Sequence, residues 1–497
     1  FSCKNTVMAP DISPNSSEGS PAHSPELEKA ISELESALKA EPSDADSFEK
    51  LAGLLIGLGE RDRTRALARN FVNNNASSIR ALGRASGVFR RCGDHEDAAQ
   101  LLRHAHYLDN RNVGIITALV HLNIGMGHVP EALSMIQLAV SAAPDNPIVH
   151  FGMGNVYYRV GRLEEALAAY HRAITLDPNN PQYRYMPSFV HLMRGEYREG
   201  WISHEERLDI PTQKFCLDNV KERLWFGEPL GANRILVHTE QGLGDTLQFV
   251  RYLPLLRKTI APETKIVFLC PHALAPILRA TGGFDEIHEI DSGNVIEYTA
   301  QIPLMSLPHR FGTLVETIPA AVPYIASPGG TKLRIDPPPQ TRLKVGMLWG
   351  GNPQHPEDRT RSASAAHFSA LFDVDRVHFY SLQYGDRAAE IDDYLHLPNV
   401  TKLSDRIGPF SEALAAVEQM DLIITVDTAM CHLAGAAGKP VWTLLQFGGE
   451  WRWFADREDS PWYPTMRLFR QPMMGDWRSV FRELRDALIL EVCSPDR

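Results

Sequence analysis

From Pro25 onward, small and apolar residues return to the same slots every 34 residues. Gly59, Gly93, Gly127, Gly161 and Gly195 mark that register. The clearest unit runs from Pro147 to Pro178, PIVHFGMGNVYYRVGRLEEALAAYHRAITLDP. It predicts two helices, A and B, joined by a turn at Gly161. Gly154 stands where the helices cross, Ala166 and Ala173 lie on helix B, and Pro178 closes the unit. The same slots recur at Gly127, Ala132, Ala139 and Pro144, and again at Gly93, Ala98 and Ala105. A lone helix B with Ala30, Ala37 and Pro42 precedes them. Small residues are needed at these slots because the helices pack closely there. The last unit, with Gly195 and then Gly200-Trp201, drifts from the pattern, as a unit that caps onto another domain does.

Beyond residue 211 the pattern changes. Residues 212–230 read as a connector. Arg234–His238 and Lys265–Cys270 are short apolar runs, hence buried strands, with helices expected at Thr246–Lys258 and near 272–280. Asp336-Pro337-Pro338-Pro339 continues neither a helix nor a central strand and marks a linker. The pattern then restarts with Lys344–Trp349, Val377–Leu382, Leu422–Val426 and Pro440–Leu445. Strands alternating with helices imply parallel sheets, so the expected class is α + α/β. The expected organisation is a disordered tail at 1–24, a repeat array at 25–211 and the connector at 212–230. Two α/β domains follow at 231–335 and 341–475, and a final helix at 476–497 is expected to cross back to the first of them.

The bulk composition narrows the partners. A formal charge of −11 argues against a general nucleic-acid binder. No apolar run approaches the ~20 residues that span a bilayer, so no membrane insertion is expected. The 6 cysteines show neither a C-x-x-C pair nor metal spacing, which points to free thiols in a reducing, cytoplasmic setting. Phe1–Val7 shows no signal pattern, and Met8 is read as the natural start.

Three segments carry candidate chemistry. Gly242-Leu243-Gly244-Asp245 follows a strand and opens a helix, although it is not G-x-G-x-x-G. Its glycines would let a ligand approach the backbone, and Asp245 would stand at the carboxyl edge of the sheet. A competing reading pairs Asp245 with Gln248 as a capping box. Asp427 and Thr428 follow the strand Leu422–Val426 and fit a helix N-cap, leaving the next backbone N–H groups to hold a phosphate. His432 and Ala429 lie on the first turns of that helix, where plain packing is the alternative. Asn352 to Ser362 follows another strand, and Arg359 and Arg361 could clamp a diphosphate or simply be solvated.

The repeats resemble the tetratricopeptide repeat, a helix–turn–helix of this length. The second half resembles the heptosyltransferase-like glycosyltransferases, family nine of the GT-B class, in a branch fused to such repeats. The matching pieces are EQGLGDTLQFVRYLP, MSLP (Met305–Pro308), VGMLWGGNP with DRTRS, and VDTAMCHLAGAAGKPVWTLL. EWRW (Glu450–Trp453) and DSPWYPTMRLFRQ (Asp459–Gln471) are typical of the branch. The likeness covers about residues 220–480. It implies an α-solenoid followed by a GT-B pair of Rossmann-like domains, a nucleotide-sugar donor and inversion at the sugar carbon. By that likeness Asp245 is the catalytic base. Gly242, Gly244, Asn352, Arg359, Arg361, Ser362, Asp427, Thr428, Ala429 and His432 hold the donor. Ala429 stands where these enzymes usually carry glycine, and their lysine near the phosphates is not evident. No metal and no cofactor beyond the nucleotide sugar is expected. The repeats are expected to capture a protein acceptor, with flagellin Ser/Thr as one candidate by likeness of layout. Two rivals are a repeat scaffold with a degenerate nucleotide-sugar binder and a transferase acting on lipopolysaccharide or lipid-linked sugar.

Overall fold

The computed structural model describes residues 25–494 apart from positions 291, 294, 331, 354–357 and 409. The tail expected at 1–24, with its start at Met8, lies outside them. The chain divides into two compact units. One holds residues 25–179 together with 353 and 358–360; the other holds the rest of the described chain.

The first unit is a helical array running from Pro25–Ala40 to Leu163–Leu176. The helix A–B pairs are Ala45–Gly57 with Arg61–Asn74, Ile79–Cys92 with His95–Leu108, Val113–Gly125 with Val129–Ala142, and Pro147–Arg159 with Leu163–Leu176. The turn glycines Gly59, Gly93, Gly127 and Gly161 have φ of +76°, +89°, +83° and +75°. That left-handed conformation costs glycine little and other residues more, which explains their periodicity. A second periodic device opens the A helices: Asp44, Ser78, Asn112 and Asn146 each accept backbone N–H groups of the first turn. Ala98, Ala105, Ala132, Ala139, Ala166 and Ala173 are fully buried. A Cβ on Gly154 would collide with the Tyr170 ring, so the crossing point is closed to larger residues. Ala30 and Ala37, on the first helix, are only half-buried.

The second unit begins with helices Pro181–Tyr185, Pro187–Met193 and Tyr197–His204, which keep the register through Gly195 at φ +79°. Their aromatic faces are buried within the α/β region rather than against a further repeat. The Trp201 ring meets Trp451 edge-on at 5.5 Å, and Trp462 Nε1 donates to Tyr197 Oη at 3.1 Å. This packing explains the drift from the repeat pattern.

Ten strands are named in chain order: β1 (Arg234–His238), β2 (Lys265–Cys270), β3 (Glu286–Glu289), β4 (Ala300–Pro303), β5 (Leu343–Leu348), β6 (Val377–Ser381), β7 (Val400–Lys402), β8 (Leu422–Val426), β9 (Val441–Leu445) and β10 (Met466–Arg470). They form two sheets, ordered β3-β2-β1-β4 and β10-β9-β8-β5-β6-β7, with parallel pairing throughout. β1, β8 and β9 are apolar runs because both faces of a parallel sheet are covered. The helix expected at Thr246–Lys258 is two helices, Leu243–Phe249 and Leu253–Thr259, joined by a 3₁₀ turn. The connector is irregular but contributes to the first sheet, since Leu224 bridges Gln301 of β4. The final helix, Trp477–Cys493, packs on the six-stranded part: Phe481 meets Phe368 at 4.9 Å, and Trp477 Nε1 donates to the Ser362 carbonyl at 3.1 Å. Among the described residues no helix is long and apolar enough to cross a membrane. Cys92, Cys216, Cys270, Cys431 and Cys493 form no disulfide with one another.

Candidate functional site

The Gly242–Asp245 turn leaves the carboxyl end of β1, and the Asp427–His432 turn leaves the carboxyl end of β8. These two turns, from different sheets, lie directly against each other. A Cβ on Gly244 would stand 2.8 Å from His432 Cδ2 and 3.5 Å from Ala429 Cα. Gly244 is therefore required by the other turn, whatever ligand approaches it. That contact also limits the room for change at Ala429.

Asp245 is not an N-cap paired with Gln248. The helix starts at Leu243, earlier than that reading needs, and Gly242 holds the N-cap position. Asp245 reaches back from the third helical position, accepting the Gly242 N–H on Oδ2 at 2.7 Å. Its Oδ1 accepts from Arg452 Nη2. Gln248 is instead a partner of the same arginine: Arg452 Nε donates to Gln248 Oε1 at 2.8 Å. Arg452 Nη1 pairs with Glu450, and the guanidinium lies 4.2 Å from the centre of the Trp451 ring. One buried cation thus ties two carboxylates, Asp245 and Glu450. Burial, Asp427 and Asp245 push the Glu450 carboxyl up while Arg452 pulls it down. A quarter of the Glu450 side chain remains exposed, so solvent tempers that rise.

Thr428, not Asp427, caps the helix Ala429–Ala436: its hydroxyl accepts the Met430 N–H at 3.3 Å. His432 is buried at 5% exposure, stacks on Trp453 at 5.4 Å and has Nδ1 2.9 Å from Tyr463 Oη. Burial, with Arg452 and Arg251 nearby, holds its imidazole well below the ordinary range. It is a neutral, packed ring that fixes the two turns together. Asp427, Cys431 and His432 offer ligand atoms within 4.8 Å of one another, a grouping able to meet a cation. The Cys431 thiol there donates to the Thr428 carbonyl at 2.9 Å and is raised by burial.

The third segment is divided. Gly351 N–H donates to Ser362 Oγ at 3.1 Å, which holds Ser362 beside the carboxyl end of β5. Arg361 and Asn352 belong to the α/β unit, and Arg361 acts electrostatically on Tyr384. Arg359 belongs to the helical unit, where with burial it lowers the His95 imidazole. Sequence reasoning named neither Gln248, Glu450 nor Arg452 as a site residue. EWRW was visible as a motif, but only packing brings its arginine to Asp245.

The fold comprises a tetratricopeptide-repeat array and a parallel α/β region. Residues 147–180 match the Tetratricopeptide repeat family. The chain is similar to Protein FlbA of Caulobacter vibrioides, 27% identical over 332 residues, 60% of this chain and 53% of that protein. It therefore spans about half the length of that relative. Solved structures with similarity include a tetratricopeptide repeat protein from Parabacteroides merdae, 17% identical with a TM-score of 0.33, covering 38% of this chain and 74% of that one. A thermophilic TPR protein in Thermus thermophilus is 21% identical with a TM-score of 0.27, covering 33% of this chain and 89% of that one.

Proposed function

We propose that this chain is an inverting glycosyltransferase of the GT-B type, moving a sugar from a nucleotide-sugar donor to a hydroxyl of a protein acceptor captured by the repeats. The observation that carries the reading is the meeting of the Asp245 turn with the Asp427–His432 turn, both at carboxyl ends of parallel sheets, where ligands of such folds bind. Asp245 takes the proton from the acceptor hydroxyl as its oxygen attacks the anomeric carbon. Each Asp245 oxygen has one fixed donor and keeps a lone pair for that proton. The bond from the anomeric carbon to the phosphate oxygen breaks, and the electron pair leaves with the nucleoside diphosphate. The N-terminal N–H groups of the helix Ala429–Ala436 and Arg361 meet that developing charge. No metal or further cofactor is assigned a step in this reading. Repeats bind protein partners, and a cytoplasmic flagellin-like Ser/Thr acceptor is proposed from likeness of layout alone.

The test is a thermal-shift screen of the full chain with CMP-, UDP-, GDP- and ADP-linked sugars. A ligand that binds the folded state raises the midpoint by mass action. One nucleotide class raising it, followed by transfer that Asp245→Asn abolishes, supports the reading. No shift from any class at millimolar concentration overturns it.

A further inference from the structure

Glu240 ends the strand region of β1, and its side chain is fully enclosed. Arg207 Nε donates to Glu240 Oε2 at 2.9 Å and Nη2 to Oε1 at 2.7 Å, a two-pronged pair. Met305 N–H adds a third donor at 3.2 Å. Arg207 is enclosed too, and Nη2 also donates to Ser306 Oγ at 2.8 Å. The next residue is Gln241, which is exposed and has φ +60°. After it comes Gly242, whose N–H is held by Asp245.

Glutamine has no local reason to be left-handed: the Cβ crowds the carbonyl, and only Gly, Asn and Asp visit that region readily. Such a conformation persists where the surroundings over-determine it. Here both sides are pinned. Upstream, Glu240 is held by Arg207. Downstream, Asp245 is held by the Gly242 N–H and by Arg452.

We propose that the Arg207–Glu240 pair is a positioning device: it clamps the end of β1 so that Gln241 is forced left-handed and the turn delivers Asp245 to Arg452. The clamp is a statement about folding, and it rests on the proposed transfer only for the name of the reaction that it serves. Arg207 touches no reacting atom and acts through the turn.

The experiment uses the full chain and a denaturation cycle. Gln241→Gly relieves the left-handed penalty, offset in part by the greater freedom of glycine in the unfolded chain, and should raise the folding constant about two- to fivefold. In a Glu240→Gln background, or in Arg207→Lys if that variant does not fold, Gln241 can relax and the gain should vanish. No gain in the wild-type background, or an equal gain in both, overturns the clamp. A second readout separates positioning from mere stability. With the nucleotide sugar chosen by the thermal-shift screen, Glu240→Gln, or Arg207→Lys if that variant does not fold, should lower kcat about tenfold or more with the donor KM unchanged, because the turn no longer delivers Asp245. An unchanged kcat overturns the positioning role. If Asp245→Asn transfers at the wild-type rate, or no nucleotide sugar binds, the proposed reaction fails and the folding cycle still decides the clamp.

Discussion

Gly244 and His432 touch across two parallel sheets, at a separation that leaves no room for a Cβ: it would stand 2.8 Å from His432 Cδ2. The ring cannot yield easily, because Trp453 stacks on it and Tyr463 Oη is within hydrogen-bond distance. Gly244→Ala should therefore destabilise the α/β unit by about 1–3 kcal/mol, as overpacking does. His432→Ala removes the obstacle, so the two substitutions together should cost less than their sum. Urea denaturation of the four proteins measures this, and simple additivity would refute the steric account.

The helical array can be removed only at the correct place. Trp201 and Arg207 are built into the α/β unit, the first against Trp451 and the second against Glu240. Deleting residues 1–179 should leave a folded protein that retains nucleotide-sugar binding and loses transfer to a protein acceptor. Deleting residues 1–211 strips Glu240 of its partner, and an uncompensated buried charge costs about 3–5 kcal/mol. Circular dichroism melting and calorimetry on the two truncations check this; equal stability would show that residues 180–211 are dispensable.

Asp245→Asn keeps the shape but has one acceptor oxygen, so it satisfies either the Gly242 N–H or Arg452 and turns its NH2 toward the other donor. It should fold with a modest loss of melting temperature and bind donor as the parent does. Transfer should fall by about 10²–10⁴-fold, the usual weight of general-base catalysis. Single-turnover kinetics with saturating donor makes the measurement, and transfer at the parental rate would remove the base assignment.

Stability should fall on mild acidification. Burial holds the imidazoles of His204, His238 and His432 below their ordinary range. Unfolded histidine takes up a proton near pH 6.5, so below that the unfolded state binds more protons through these groups than the folded state does. Glu450 works the other way: burial raises its carboxyl, and solvent on its exposed quarter tempers the rise, so it offsets the histidines only in part. The buried imidazoles outnumber this one carboxyl, so the unfolded state is the one favoured as pH falls through the histidine range. Urea midpoints over that range test the sign; a midpoint that rises with acid would contradict the burial of these rings.

The repeat array was legible because its rules are local. A left-handed turn at Gly59, Gly93, Gly127 and Gly161, and an alanine wherever two helices cross, leave a fixed period in the chain. The buried strands β1, β2, β8 and β9 were legible for a similar reason, since both faces are covered and each run is mainly apolar. Edge strand β3, Glu-Ile-His-Glu, is half-exposed and carries no such run. β4, β7 and β10 are short or mixed, and they become strands through the neighbours they pair with.

The candidate site divides along the same line. Asp245, Asp427 and Thr428 could be placed at strand ends because a strand followed by a capped helix is a contiguous pattern. That Asp245 sits inside its helix rather than at the cap was decided by where the Gly242 backbone found its partner. Arg452 reaches Asp245 across 207 positions of sequence. Its long side chain is directed by Gln248, Glu450 and Trp451 together, and no local spacing encodes that convergence. Order along the chain was enough to set the elements and the strand ends at which chemistry can stand. Which charges face one another was left to the folded state, because burial and pairing depend on residues that packing brings together from distant positions.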